Sequence, residues 1–430
     1  MAIWPSVLTV VLGCVYDPTT SNEPELALLA LARADFPFSV VSESVGGSPG
    51  AMVIDGSSIF IAGSSNPGGN LNWRVERRDR YTGELVSEFG TAGVLDFDPG
   101  SGNDDDLTDI ALDATYIYLV GNDRSSGSPQ WRIEKRLAST GALVSGFGSG
   151  GVITNDPTPG QNDFLNAIAI DGTYMYLAGS QSTGGSAQDW RLEKRDLASG
   201  SLDGGFGTGG VIVQGAGSGT QSQAWAVTYD TSYLYYGGAY RAATVDWRTE
   251  KRDRTTGALV GGFGTGGQVA GPANAGRDEI YDIEINSDSV FVSGLTLSPT
   301  VHYRFDRYLQ SDGSNAGAFG TGGTIDNDFS SGTDTFGDII VDSPYVFLLG
   351  SDFTNGSDRL LRVEKFDEVT GAYISAFGSG GVLQINNFAG EENLRAGRVD
   401  GTFLYMVGED QSTSPAAWRL LKYYKSTGTQ

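Results

Sequence analysis

Short runs of alternating apolar and polar residues, broken by glycine and aspartate, recur along this chain at a near-constant interval. One copy reads Ala167-Ile168-Ala169-Ile170, a turn at Asp171-Gly172, then the apolar run Tyr174-Met175-Tyr176-Leu177-Ala178-Gly179. A third run covers 190–195 and a fourth is Val211-Ile212-Val213. Period-two alternation at this length predicts four antiparallel strands per copy. The Asp-Gly pair predicts a two-residue hairpin turn with positive φ at both central positions.

The copies can be counted from fixed points. An anchor residue falls at Trp73, Trp131, Trp190, Trp247, Tyr303, Leu361 and Trp418, about 56 to 59 residues apart. A Phe-Gly pair follows each of the first six anchors by 16 residues, at Phe89, Phe147, Phe206, Phe263, Phe319 and Phe377. Glycines closing the second run stand at Gly63, Gly121, Gly179, Gly237, Gly294, Gly350 and Gly408. One supersecondary unit copied seven times, with four strands each, predicts an all-β, seven-bladed β-propeller of four-stranded antiparallel blades.

The last copy lacks its fourth run, because only 12 residues follow Trp418. Phe36-Pro37-Phe38-Ser39-Val40-Val41 stands where a fourth strand would precede the first copy. The expectation is that this N-terminal strand completes the last blade and closes the ring, leaving no open end where other chains could pair. The propeller would then occupy residues 35–430.

The third run carries the most regular chemistry. Arginine follows every anchor, at Arg74, Arg132, Arg191, Arg248, Arg304, Arg362 and Arg419. An acid stands three past it at Glu76, Glu134, Glu193, Glu250, Asp306 and Glu364, failing only at Leu421. A second base stands four past it, so 14 of the 28 basic residues occupy these two positions. Strand periodicity puts the first Arg and the acid on one face, and the anchor and the second base on the other. The reading is structural: Trp73, Trp131, Trp190, Trp247 and Trp418 pack between sheets, while pairs such as Arg132 and Glu134 neutralise one another.

With half the positive charge committed to the frame, 52 acidic residues and a net charge of −24 leave a strongly acidic surface. Such a field repels phosphate backbones, so nucleic acid is excluded as a partner. The single histidine, His302, and the single cysteine, Cys14, leave no Ser-His-Asp, Cys-His or His-ligated zinc chemistry. No phosphate-binding glycine loop fits either, because Phe-Gly-x-Gly-Gly leads into a strand rather than a helix.

The N-terminal run 2–13 is apolar but too short to span a bilayer, as expected of a cleaved signal segment covering 1–13. Val11-Leu12-Gly13-Cys14 resembles a bacterial lipobox, although no Lys or Arg precedes it. That resemblance implies lipidation at Cys14, with 14–34 as a flexible tether and an outer-membrane or cell-surface address. A periplasmic or secreted protein is the alternative.

The G-x-L-x-x-x-FG-x-x-G pattern, seen at Gly200, Leu202, Phe206, Gly207 and Gly210, resembles the delta-60 repeat β-propeller family of bacterial surface and secreted proteins. The likeness covers about residues 36 to 425. It implies fold and exterior location, and brings no general enzymatic activity.

Function is expected on the face carrying the fourth-to-first and second-to-third connections, which vary in length and chemistry between copies. Candidate ligand-binding residues there are Asp104, Asp105, Asp106, Glu391 and Glu392. Asp96, Asp98, Asn103, Asp104 and Asp106 form the densest set of oxygen ligands and could offer a Ca²⁺ site; no other cofactor is expected. The leading expectation is a binding or scaffolding module for a protein or glycan partner. The alternatives are a carbohydrate-active hydrolase using a carboxylate pair, for which the spacing selects no pair, and a structural surface-layer component.

Overall fold

The computed structural model describes residues 35–430 except 43–44, 101, 216–221, 242–244, 272–277, 298–300, 328–334, 354–358 and 387–391. The expected lipidation site Cys14, the tether and Glu391 lie outside the described residues.

Twenty-eight strands assemble into seven four-stranded antiparallel sheets, and no helix occurs among the described residues. The protein is a seven-bladed β-propeller. Blade 3 is typical, with strands Phe164–Ile170, Tyr174–Gly184, Ala187–Asp196 and Val211–Gln214 in spatial order. The first strands pack against one another around the axis, including that of blade 1 (Pro49–Ile54) against that of blade 7 (Glu392–Val399). The ring is therefore closed.

Closure follows the sequence expectation. Phe38–Ser42 pairs antiparallel with Ala417–Tyr424, matching Phe38 to Lys422 and Ser42 to Trp418, and supplies the outer strand of blade 7. Ser42 then reaches into blade 1, where its hydroxyl donates to Glu76 Oε2 at 2.7 Å and accepts from Arg78 Nη2 at 2.8 Å.

The repeated residues hold blade to blade. Trp73, Trp131, Trp190 and Trp247 are buried, and each indole N–H donates to a carbonyl of the next blade: Asn122, Ser180, Ala239 and Leu295. The arginine after the anchor pairs with the acid two residues on, as Arg132 Nη2 does with Glu134 at 2.6 Å. Arg136 closes on the other carboxylate oxygen at 2.6 Å, so the fully buried Glu134 sits between two guanidinium groups. Blade 7 has Leu421 in place of the acid, and there Arg419 pairs with Asp410 instead. The second base crosses blades: Lys135 Nζ donates to Leu197 O and Lys251 Nζ to Gln310 O.

The Phe-Gly signature is a further staple. All six phenylalanines are buried, and the amide of the following glycine donates to the next blade's turn, as Gly207 N does to Thr256 O at 2.8 Å. Gly207 has φ +55°, and a Cβ there would press on Val211 O, so the position requires glycine.

Two local expectations are corrected. The first hairpin is an aspartate-capped turn rather than a two-residue turn with paired positive φ. Asp113 Oδ1 accepts from the backbone N–H of Thr115 and Tyr116, and Asp55 does the same for Ser57 and Ser58. The carboxylate supplies the acceptors that turn the chain, so the next position takes Gly56 in blade 1 and Ala114 in blade 2. In blade 4 the second-strand glycine is Gly238, not Gly237. Gly238 lies opposite Arg248, as Gly179 lies opposite Arg191, and a Cβ on Gly238 would overlap Gln223 O.

Candidate functional site

The variable-loop acids are engaged in holding their loops. Asp98 accepts from Gly100 N at 3.0 Å and Gly102 N at 2.7 Å. Asp105 is fully buried and accepts from Gly100 N at 2.6 Å and Arg124 N at 2.8 Å. Burial is the main reason its carboxyl is pushed up to about 6. Asp163 occupies the same place in blade 3, taking Thr158 N and Ser182 N, so this aspartate belongs to the repeat. Asp96 accepts from Ser65 and pairs with Arg74 at 3.0 Å; Asp104 accepts from Leu71 N; Asn103 donates to Gly100 O and Arg124 O. Asp104 is exposed, Asp106 half-buried and Glu392 buried. Burial first, then the nearby Asp410, raises Glu392 to about 7. Among the described residues no three His, Cys, Asp or Glu side chains gather into a metal-holding group.

A different constellation converges on the axis, and its cause is a β-bulge. In every blade the first strand slips by one residue against the second, just before the strand's midpoint. A bulge re-aims one side chain out of the ladder. The bulged residue is Gly50 in blade 1, Thr108 in blade 2, Asn166 in blade 3 and Trp225 in blade 4. It is Tyr281 in blade 5, Gly337 in blade 6 and Arg395 in blade 7. All seven line a cavity of about 700 Å³. Pro49, Asp106 and Asn393, at the starts of their first strands, share its wall, so the cavity opens on the variable-loop face.

The ring is asymmetric. Trp225 and Tyr281 come from adjacent blades and put two aromatic side chains on one side of the ring, an aromatic wall. Arg395 stands two to three blades away with a glycine on either side. Its Nε and Nη2 bond Glu409 at 2.9 and 2.7 Å, which leaves Nη1 uncommitted among the described residues. Asn166 Nδ2 donates to Ala224 O at 2.8 Å, orienting its Oδ1 as an acceptor. Trp225 Nε1 is buried and meets no acceptor among the described residues.

Beneath the mouth lies a second cavity of about 310 Å³ lined by carboxyl groups. Asp109 accepts from Ile110 N and, in the next blade, Ile168 N; Asp282 does likewise from Ile283 N and Ile339 N. Burial raises Asp109 to about 6 and Glu284 to about 7. Burial, and then the neighbouring Asp338, push the Asp282 carboxyl well above the carboxylate range. Arg398 lies 3.4 Å from Asp338; burial opposes its charge, and the surrounding carboxylates more than offset that.

Neither tier was found from the sequence. The available signal was variation at one register position. The bulge reads Gly, Thr, Asn, Trp, Tyr, Gly, Arg through the copies, while the residue before it is apolar in every copy and the residue after it is only ever alanine or aspartate. Trp225 was also the one tryptophan inside the repeats that is not an anchor.

No protein-family model matches the sequence, and comparison with characterised proteins finds no sequence match. Solved structures do align. A puromycin hydrolase has 12% identity over 90% of this chain, with TM-score 0.51, and this chain spans 55% of that one. Polysaccharide lyase Uly1 has 11% identity over 87% of this chain and 90% of its own, with TM-score 0.50. Sqt1 of Chaetomium thermophilum, bound to the N-terminus of ribosomal protein L10, has 10% identity over 89% and 98%, with TM-score 0.48. At such identities the likeness is one of fold.

Proposed function

We propose that this propeller is an extracytoplasmic binding module, tethered to the bacterial outer membrane through Cys14, that takes its ligand at the variable-loop mouth of the central channel. The observation that carries the binding site is the ring of bulged residues. A rigid frame repeats seven times, yet the one position aimed at the axis differs in chemistry from blade to blade. The volume and the mix of aromatic and polar groups suit a ligand pocket. The lipobox-like Val11-Leu12-Gly13-Cys14 and the delta-60-like repeat support the exterior, anchored location.

Catalysis by a carboxylate pair is the weaker reading. The lower-tier carboxyls Asp282 and Asp338 are engaged in the frame, with Arg398 3.4 Å from Asp338. Their oxygens also accept backbone N–H groups of the first strands.

Two variants test the proposal. Gly337 has room for a side chain, since an added Cβ would meet only Arg395 O at 3.9 Å. Gly337→Trp should fill the mouth, abolish binding of fragmented cell envelope by the purified protein, and leave the melting temperature unchanged. Undiminished envelope binding by Gly337→Trp would rule out the mouth. Cys14→Ser should release the protein from the membrane fraction; unchanged fractionation would rule out the tether.

A further inference from the structure

We infer that the channel mouth is a saccharide site, and that it selects a neutral sugar ring stacked on the Trp225–Tyr281 wall. This rests on the binding role proposed above for the same cavity.

A pyranose presents two surfaces. Its faces carry C–H groups and are apolar, while its rim carries hydroxyls that both donate and accept hydrogen bonds. A complementary site needs an aromatic face beside a small number of fixed donors and acceptors. The mouth supplies these from separate blades. Trp225 and Tyr281 give two aromatic rings from adjacent blades. Asn166 Oδ1 is an acceptor oriented by the Nδ2 bond to Ala224 O, and Arg395 Nη1 is a donor left over from the pair with Glu409. The indole N–H of Trp225 is buried, so Trp225 offers the occupant its ring rather than its N–H.

Charge decides between sugar classes. Arg395 is already matched by Glu409, and Asp106 shares the cavity wall. The tier below adds Asp109, Glu284 and Asp338 beside Arg398, with Asp282 raised toward its neutral form. A uronate or sulfated sugar would bring further negative charge into an acidic well, so the neutral ring is favoured. The wall is two rings wide and the cavity about 700 Å³, which fits a short oligosaccharide rather than one sugar.

The test uses immobilised oligosaccharides: neutral ones built from hexose, pentose and N-acetylhexosamine units, and acidic oligouronides. Wild-type protein should be retained by at least one neutral member and by no oligouronide. Trp225→Ala should weaken that binding by about tenfold or more, and Trp225→Phe, which keeps a ring but lacks the N–H, by less. Failure to bind any neutral member, or equal binding by Trp225→Ala with an unchanged melting temperature, would overturn the inference.

Envelope fragments separate this failure from failure of the underlying role. Periodate, which cleaves vicinal diols, should destroy the binding partner, and protease should spare it. If protease destroys it and periodate does not, and Gly337→Trp still abolishes binding, the mouth serves a protein and only the saccharide assignment falls. If Gly337→Trp retains binding, both fall.

Discussion

The guanidinium of Arg74, in the first blade, lies 5.7 Å from the ring centre of Trp418, in the last. The same contact recurs between successive blades, with Arg132 over Trp73 at 5.9 Å and Arg191 over Trp131 at 5.6 Å. The joint between the chain's two ends therefore uses the same interaction as the interior of the ring. Trp418 Nε1 also donates to Gly47 O at 2.9 Å, and Lys422 Nζ to Arg80 O at 3.1 Å. Trp418→Ala should cost about 3–5 kcal/mol, as for other buried aromatic truncations. Ser42→Ala, which removes the bonds to Glu76 and Arg78, should cost about 1–2 kcal/mol. Denaturant unfolding of both variants checks the seam; wild-type midpoints would mean that the ends contribute nothing to stability.

Glu134 is fully buried between Arg132 and Arg136. Neutralising one member of such a group leaves buried charge without a counterion, which costs about 3–5 kcal/mol. Glu134→Gln should approach that figure. Asp96→Asn, at the partly exposed end of the Arg74 pair, should cost about 1 kcal/mol or less. Equal losses in the two variants would contradict a buried ladder.

The channel and inner-loop acids predict how stability depends on pH. Asp105 and Asp109 are raised to about 6, and Glu284 and Glu392 to about 7, above the unfolded range near 4. Between pH 4 and 7 the native state therefore holds more protons than the unfolded chain. Unfolding free energy must fall as pH rises through that window and level off above it. The net charge of −24 acts in the same direction. Acids held below their usual range, such as Glu76 and Asp410, reverse the trend at lower pH. Thermal melts should show a higher melting temperature at pH 5 than at pH 8, with a shallower slope in Glu284→Gln. A melting temperature that rises from pH 5 to pH 8 would contradict the assignment.

Calcium should leave the melting temperature unchanged. The carboxylates of Asp98 and Asp105 already take two backbone N–H groups each, and Asp104 takes one, so these oxygens serve the loop rather than an open coordination shell. A clear rise in melting temperature with Ca²⁺ over chelator, lost in Asp98→Asn, would overturn this.

The frame could be read from the sequence because each of its devices repeats. Seven anchors, seven following arginines and six Phe-Gly pairs recur once per repeat, and the buried anchors and phenylalanines hold each blade to the next. The missing fourth run after Trp418 pointed directly to the strand at Phe38–Ser42. The binding mouth could not be read this way. Gly50, Trp225 and Arg395 are far apart in the chain and meet only because a bulge turns each toward the axis. A bulge leaves no fixed residue type behind it, and in blade 4 it also obscured which of Gly237 and Gly238 closes the second strand. Asp104-Asp105-Asp106 drew attention through local density of acid. Its middle member proved to be the repeat's own loop clamp, shared with Asp163.

The face assignment is tested most directly by blocking each face of the same molecule in turn. In a Cys14→Ser background, a single cysteine replaces either Gly337, in the channel mouth, or Gly56, in a hairpin turn on the opposite face. An added side chain at Gly56 meets no atom within 4 Å. Each cysteine is then coupled to a bulky maleimide, and binding of envelope fragments is measured. Coupling at position 337 should abolish binding, and coupling at position 56 should leave it at the unlabelled level. Equal binding by the two labelled proteins, or loss only at position 56, would contradict a ligand site at the variable-loop mouth.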